Sequence, residues 1–176
     1  MKAKNRLIIC LAIIGMGLCF VVYGVIIPRE HQKENEYIEN QKNPLTHDLD
    51  SILEYKSKYM GNSNNLINLF CNLPLKDIPR TFELFPDKLA AEVNYEEIIE
   101  NIDKDKLEKA LIYNSIATFA LIDNLDAINY KFTDSSYKFL RSDIEKWAGE
   151  DLSSLLTKDK WKIKVQDRIQ NGQYVI

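Results

Sequence analysis

A chain of 176 residues, 45% hydrophobic and 28% charged, has room for one ordinary domain plus a targeting element, and not for two large cores. Its 23 basic and 26 acidic side chains give a formal charge of −3, which excludes an overall basic footprint for nucleic acid.

The apolar residues are unevenly placed. Leu7 to Ile27, LIICLAIIGMGLCFVVYGVII, runs 21 residues without a charge or a proline. As a helix it is about 31 Å long, which matches the hydrocarbon core of a bilayer. The segment runs into Tyr23-Gly24-Val25-Ile26-Ile27-Pro28-Arg29 with no Ala-x-Ala, and neither Cys10 nor Cys19 follows a small residue. An uncleaved anchor is therefore favoured over a cleaved signal or a lipoprotein signal. Lys2, Lys4 and Arg6 precede the span, whereas acids mix with Arg29 and Lys33 beyond it. The positive-inside rule then predicts residues 1–6 in the cytoplasm, 7–27 as a single-pass signal-anchor in the cell membrane, and the rest outside. Without those three cations, 20 basic side chains face 26 acidic ones, a formal −6 for the outer part.

Residues 28–44, PREHQKENEYIENQKNP, are too polar to fold alone and read as a tether or a polar continuation of the membrane helix. The domain proper is expected over 45–176. Thr46 is the expected cap of a helix carrying Leu49, Ile52, Leu53 and Tyr59 on one face and stopped by Gly61. A short second helix follows Asn62 and closes at Pro74. Phe82–Phe85, the turn Pro86-Asp87-Lys88 and the stretch Leu89–Tyr95 read as a β-hairpin.

Asp103 is the expected cap of a central helix, with Asp105 in its first turn. Ala110 to Ile122 carries no charge, Gly or Pro, the pattern of a helix buried on most of its circumference. From Ala127 to Thr133 the period changes to two, and Tyr137–Arg141 is a plausible partner strand. Ser142 is the expected cap of the next helix, Gly149 its terminator, and Asp151 the opener of a further turn. Asp159 then caps a last segment. There Trp161, Val165 and Ile169 favour helix, with a strand over WKIKV as the alternative. The order predicts an α+β fold: a small, mainly antiparallel sheet of about four strands packed on a long buried helix, preceded by the transmembrane helix.

Lys56-Ser57-Lys58-Tyr59-Met60-Gly61-Asn62-Ser63, followed by Leu66, Leu69 and Leu73-Pro74-Leu75, and then Tyr113-Asn114 through Phe119 to Asp126, resemble the domain of unknown function 4825 family. The resemblance runs from about Leu53 to Ile169. It implies a tethered extracytoplasmic domain of the kind found in membrane-anchored proteins of Gram-positive bacteria, and it transfers no catalytic residue.

Candidate sites are few. Lys58, Tyr59, Gly61 and Asn62 join a cation, an aromatic ring and a turn before a helix N-terminus, an arrangement that can hold an anion. Ordinary helix termination and capping explain the same residues and are favoured. Asn114 lies in the most apolar part of the central helix, where a structural hydrogen bond to backbone is favoured over a ligand role. Cys71, alone beyond the span, reads as a small core residue. His31 and His47 are assigned to the approach segment, which leaves the domain without a histidine base or ligand.

The pairs Asp123/Asp126 and Asp103/Asp105 read as capping residues without the further oxygen ligands of a calcium loop. No catalytic residue, metal site or cofactor is expected. The favoured function is a binding or sensing module whose partner is a membrane protein or an envelope component. The alternative is a carboxylate-dependent enzyme acting on cell-envelope material, with Asp123, Asp126 or Glu96 as its acids.

Overall fold

The computed structural model describes residues 2–174, and the chain divides into two compact units, Met1–Glu39 and Asn40–Ile176. Met1, Val175 and Ile176 lie outside the described residues, as do the side chains of Lys2, Arg6, Leu7, Ile9, Cys10 and Ala12 within the expected N-terminus and span.

The described residues of the first unit are helical: α1 (Lys2–Val21), a π-helical turn (Val22–Ile26) and α2 (Ile27–Asn40), which ends one residue into the second unit. The wide turn sits where Pro28 has no N–H for the carbonyl of Gly24, and the Ile27 N–H closes it on the Val22 carbonyl. Ile13–Asn40 is long and apolar enough to cross a membrane, and its apolar window is not buried at all. Helix α2 is the polar continuation, with exposed Lys33–Glu30 and His31–Glu34 pairs one turn apart. Gln41, four residues before the expected domain start, is already buried within the second unit.

That unit opens with two 3₁₀ turns, Leu49–Ser51 and Leu53–Tyr55, in place of the expected helix. The Thr46 hydroxyl donates to the Asn40 carbonyl instead of capping, and Asp48 caps the first turn through the Asp50 N–H. The buried positions are Leu49 and Ile52, a spacing that 3₁₀ turns satisfy as well as a helix, while Tyr59 is exposed and Met60 buried. Helix α3 (Ser63–Asn72) is capped by Asn62, whose side chain accepts the Asn65 N–H at 3.1 Å.

The sheet has the order β1 (Arg80–Phe85), β2 (Ala90–Tyr95), β3 (Ala127–Lys131), β4 (Ser136–Leu140). The four strands and the α+β class are as expected. The two hairpins are antiparallel, but the central β2/β3 pair is parallel, so the sheet is mixed. Helix α4 (Lys104–Leu121) causes this, since it carries the chain back across the sheet before β3 starts. One face of the sheet presents Phe82, Val93, Tyr130 and Tyr137 in one row and Leu84, Ala91, Ile128 and Phe139 in the next. Phe70 of α3 closes on Phe82 and Tyr130. The opposite face is polar, with Lys131 paired to Glu92 at 2.8 Å.

Asp103 caps α4 by accepting the Lys106 N–H, and every residue from Ala110 to Leu121 is buried. On the sheet side the Ser115 hydroxyl meets Tyr130 at 3.1 Å. The other side is covered by the C-terminal segment: α5 (Arg141–Ala148), a 3₁₀ turn (Leu152–Leu155), α6 (Lys158–Trp161), a π-turn (Lys162–Gln166) and α7 (Asp167–Gln170). Trp161, Val165 and Ile169 are buried, so the helical reading holds over the strand. Gly149 takes the left-handed conformation that ends α5, and Asp151 caps the next turn. Two expected caps differ. Helix α5 starts at Arg141 rather than after Ser142, because the Arg141 N–H is already engaged by the Asp126 carbonyl. Thr157, not Asp159, precedes α6, with no side-chain bond.

Two arginines close helix C-termini in the same way. Arg141 donates to the carbonyls of Phe119 (2.9 Å), Ile122 (2.6 Å) and Leu125 (2.8 Å), with its guanidinium over the Phe119 ring. Arg80 donates to the carbonyls of Phe70, Lys76 and Ile78 and lies over Phe82. Each satisfies carbonyls that a helix end leaves without partners. Arg141→Met should cost about 3 kcal/mol in denaturant unfolding of the full chain, and Arg141→Lys should recover less than half of it, because an ammonium cannot span three carbonyls in one plane.

Candidate functional site

The loop Ser57–Met60 and the exit of α4 are joined. Ser57 donates its N–H to the Leu121 carbonyl at 2.8 Å and accepts the Asp123 N–H at 3.0 Å, a short parallel bridge. The Met60 N–H is held by the Asn124 side chain at 2.6 Å. Beside this junction opens a cleft of about 540 Å³ lined by Lys56, Phe119, Asp123, Arg141, Glu145, Glu150, Asp151 and Ser153.

Its chemistry is that of mixed charge. Arg141 forms the floor, spent on the α4 carbonyls and paired with Glu145 at 3.5 Å. The Ser154 hydroxyl and then Lys160 hold the Glu150 carboxyl below the usual range, and the Ser153 N–H does the same for Asp151. Lys56 and Asp123 stand exposed at the rim. Such a surface can pair with a polar ligand through ions and hydrogen bonds. Among the described residues, no group of three or more His, Cys, Asp or Glu is placed to hold a metal ion.

A family model for a domain of unknown function, DUF4825, matches residues 52–141. The chain belongs to this family. Comparison with curated proteins and with solved structures yields no match. The DUF4825 region starts at the buried Ile52 and ends on Arg141, short of the expected reach to Ile169, so the C-terminal cover of α4 lies outside it. Both motifs that carry the resemblance fall inside, and the Ser57 bridge and the Asn124 bond are what join them.

The residues expected to form a site are not all brought together. Lys58, Tyr59, Gly61 and Asn62 are exposed, and the Asn62 side chain is occupied in capping α3. Asn114 is fully buried, away from that surface corner, and donates to the Pro74 carbonyl at 2.8 Å. Its Oδ1 has no hydrogen-bond partner, although the buried Tyr95 phenol, whose pKa is raised by desolvation, is influenced by the same amide. Of the three acids of the enzyme alternative, only Asp123 lines the cleft. Asp126 is exposed 4.0 Å from Arg141, and Glu96 is exposed beyond β2.

Two readings are corrected. Cys71 is exposed, because Leu66, Leu69, Phe70 and Leu73 take the inward positions of α3 and turn Cys71 towards a hollow lined by Ile67, Ile78 and Phe82. Arg80 Nη2 lies 3.8 Å from its sulfur. His47 belongs to the folded domain and is only 3% exposed. Its Nε2 is 2.7 Å from the Asn72 carbonyl, which can only accept, so Nε2 carries the proton. Its Nδ1 then accepts from the Tyr113 hydroxyl at 2.9 Å, and that oxygen accepts the Trp161 indole N–H at 3.1 Å. Burial lowers the His47 pKa from 6.5, with Lys76 adding to the effect and the Asn72 carbonyl and Asp48 opposing it. Both ring nitrogens are thus engaged.

Neither Arg141 nor Lys56 stands out in the sequence. Lys56 lies two residues before the expected corner, and the signal for Arg141 is only a lone cation at the junction of a strand and a helix.

Two measurements check these placements. Cys71 in the folded full chain should react with a maleimide within about tenfold of the rate of a free thiol, and Cys71→Ser should abolish that labelling. Asn114→Leu should lower stability by about 1 to 2 kcal/mol in thermal unfolding: it strands the Pro74 carbonyl but also removes the unpartnered Oδ1.

Proposed function

We propose that this protein is a membrane-tethered module that binds another protein or an envelope component outside the cytoplasm, with the cleft beside Arg141 as its contact face. The observation that carries this reading is the pairing of an unburied apolar helix, long enough to cross a membrane, with a domain that opens a charge-lined cleft at the junction of the two DUF4825 motifs. Positive charge before the span supports the cytoplasmic placement of the N-terminus. Several interior polar groups hold the domain together: His47, Tyr113 and Trp161 bond with one another, and Arg80 and Arg141 with backbone. Lys56 and Asp123 at the rim of the cleft are exposed and can meet a partner.

The test places a photo-crosslinking residue at Lys56 or at Asp123 of the full chain in native membranes, with exposed Ser136, at the end of β4 away from Arg141, as control. A discrete adduct from the two cleft positions and none from Ser136 is the expected result. Adducts of equal yield from all three positions, or none from any, would remove the support for this face.

A further inference from the structure

The segment 41–48, which follows α2 directly, is fastened to the rest of the domain by buried polar bonds. Gln166 donates to the carbonyls of Pro44 (3.1 Å) and His47 (2.9 Å) from the C-terminal π-turn. Gln41, through part-buried bonds, folds the segment on itself by accepting the Asp48 N–H and reaches the next turn by accepting the Ser51 hydroxyl. At the centre, His47 connects the end of α3 through Asn72, the middle of α4 through Tyr113 and, by way of that hydroxyl, Trp161 of α6.

This chain of bonds has one consistent direction of donation. Indole N–H gives to phenol oxygen, phenol O–H gives to Nδ1, and Nε2–H gives to the Asn72 carbonyl. A proton on Nδ1 reverses the middle link: the Tyr113 oxygen must then accept from both neighbours, and its own proton is left without an acceptor. The imidazolium would also sit where His47 is nearly inaccessible to water. The charged groups around it give partial relief only. Asp48 is the neighbouring anion, but Lys158 of α6 lies 3.8 Å from its carboxylate and 2.6 Å from that of Asp50. Lys76, beyond α3, repels a charged ring, and Tyr113 is held neutral by burial.

We propose that His47 is an acid-operated latch: its protonation releases segment 41–48 from α3, α4 and α6 while the sheet and α4 stay folded. The direction follows from linkage. Burial lowers the folded-state pKa, so the stabilisation by neutral His47 is complete above the unfolded value of 6.5 and is lost as pH falls from there towards the folded value. The latch belongs to the stretch by which the domain is joined to α2, so its release changes the freedom of the domain on its tether.

Hydrogen exchange of the full chain in detergent micelles, at pH 7.5 and pH 5.0 and corrected for intrinsic rates, tests the proposal. Amide protection over 41–51 should fall at least about tenfold at the lower pH, while protection in α4 changes less than about twofold. His47→Gln, which keeps a neutral donor for the Asn72 carbonyl, should lose this pH response. Should that variant fail to fold, Tyr113→Phe takes its place, since it removes the hydroxyl that needs an unprotonated Nδ1 and should weaken the response at least about threefold. The latch is overturned by unchanged protection over 41–51, by α4 losing protection in parallel with it, or by a wild-type response in the variant.

Discussion

A helix buried around its circumference must have its last carbonyls answered from within the protein, and in this domain Arg141 gives that answer. Its guanidinium takes the carbonyls of Phe119, Ile122 and Leu125, and the Ser57 N–H takes that of Leu121. The same contacts fix the direction in which the chain leaves α4, the start of β3 and the start of α5. A charged group can sit there because it makes several bonds to backbone and stacks on Phe119, with Glu145 beside it. Arg80 repeats the device at the end of α3. The arginine that closes the core also floors the cleft, so the cleft is built on one of the most firmly held parts of the domain.

The order of elements could be read because their signals are local. Pro86–Lys88 marks the hairpin, Asp103 caps α4, Gly149 ends α5, and the spacing of Trp161, Val165 and Ile169 favours helix, although the alternation of WKIKV leaves a strand open until their burial is seen. What escaped depends on partners far along the chain. Leu49 and Ile52 have the spacing of either a helix or a 3₁₀ turn, and the choice lies with Thr46 bonding back to Asn40. The parallel pairing of β2 with β3 follows from where α4 returns the chain. No period in either strand encodes it.

The candidate site was legible only in outline. The two family motifs could be marked, but not that Ser57 and Asn124 join them, nor that the open surface at their junction belongs to Lys56 rather than to Lys58. Cys71 sits in an apolar run that hides which side of α3 it occupies. His47 looks like part of a polar approach because Tyr113 and Trp161, its bond and its cover, come late in the chain. A buried histidine in a polar neighbourhood of sequence is recognised only once the surfaces that enclose it are known.

The mixed sheet has a consequence for the order in which the fold assembles. Each outer pair, β1 with β2 and β3 with β4, is a hairpin whose strands are neighbours in sequence and close at small entropic cost. The central seam joins strands separated by the whole of α4. Closing that seam spans the whole of α4, and Arg141, which completes the end of that helix, lies beyond β4. On a growing chain the core closes late, after the residues of both hairpins have been made.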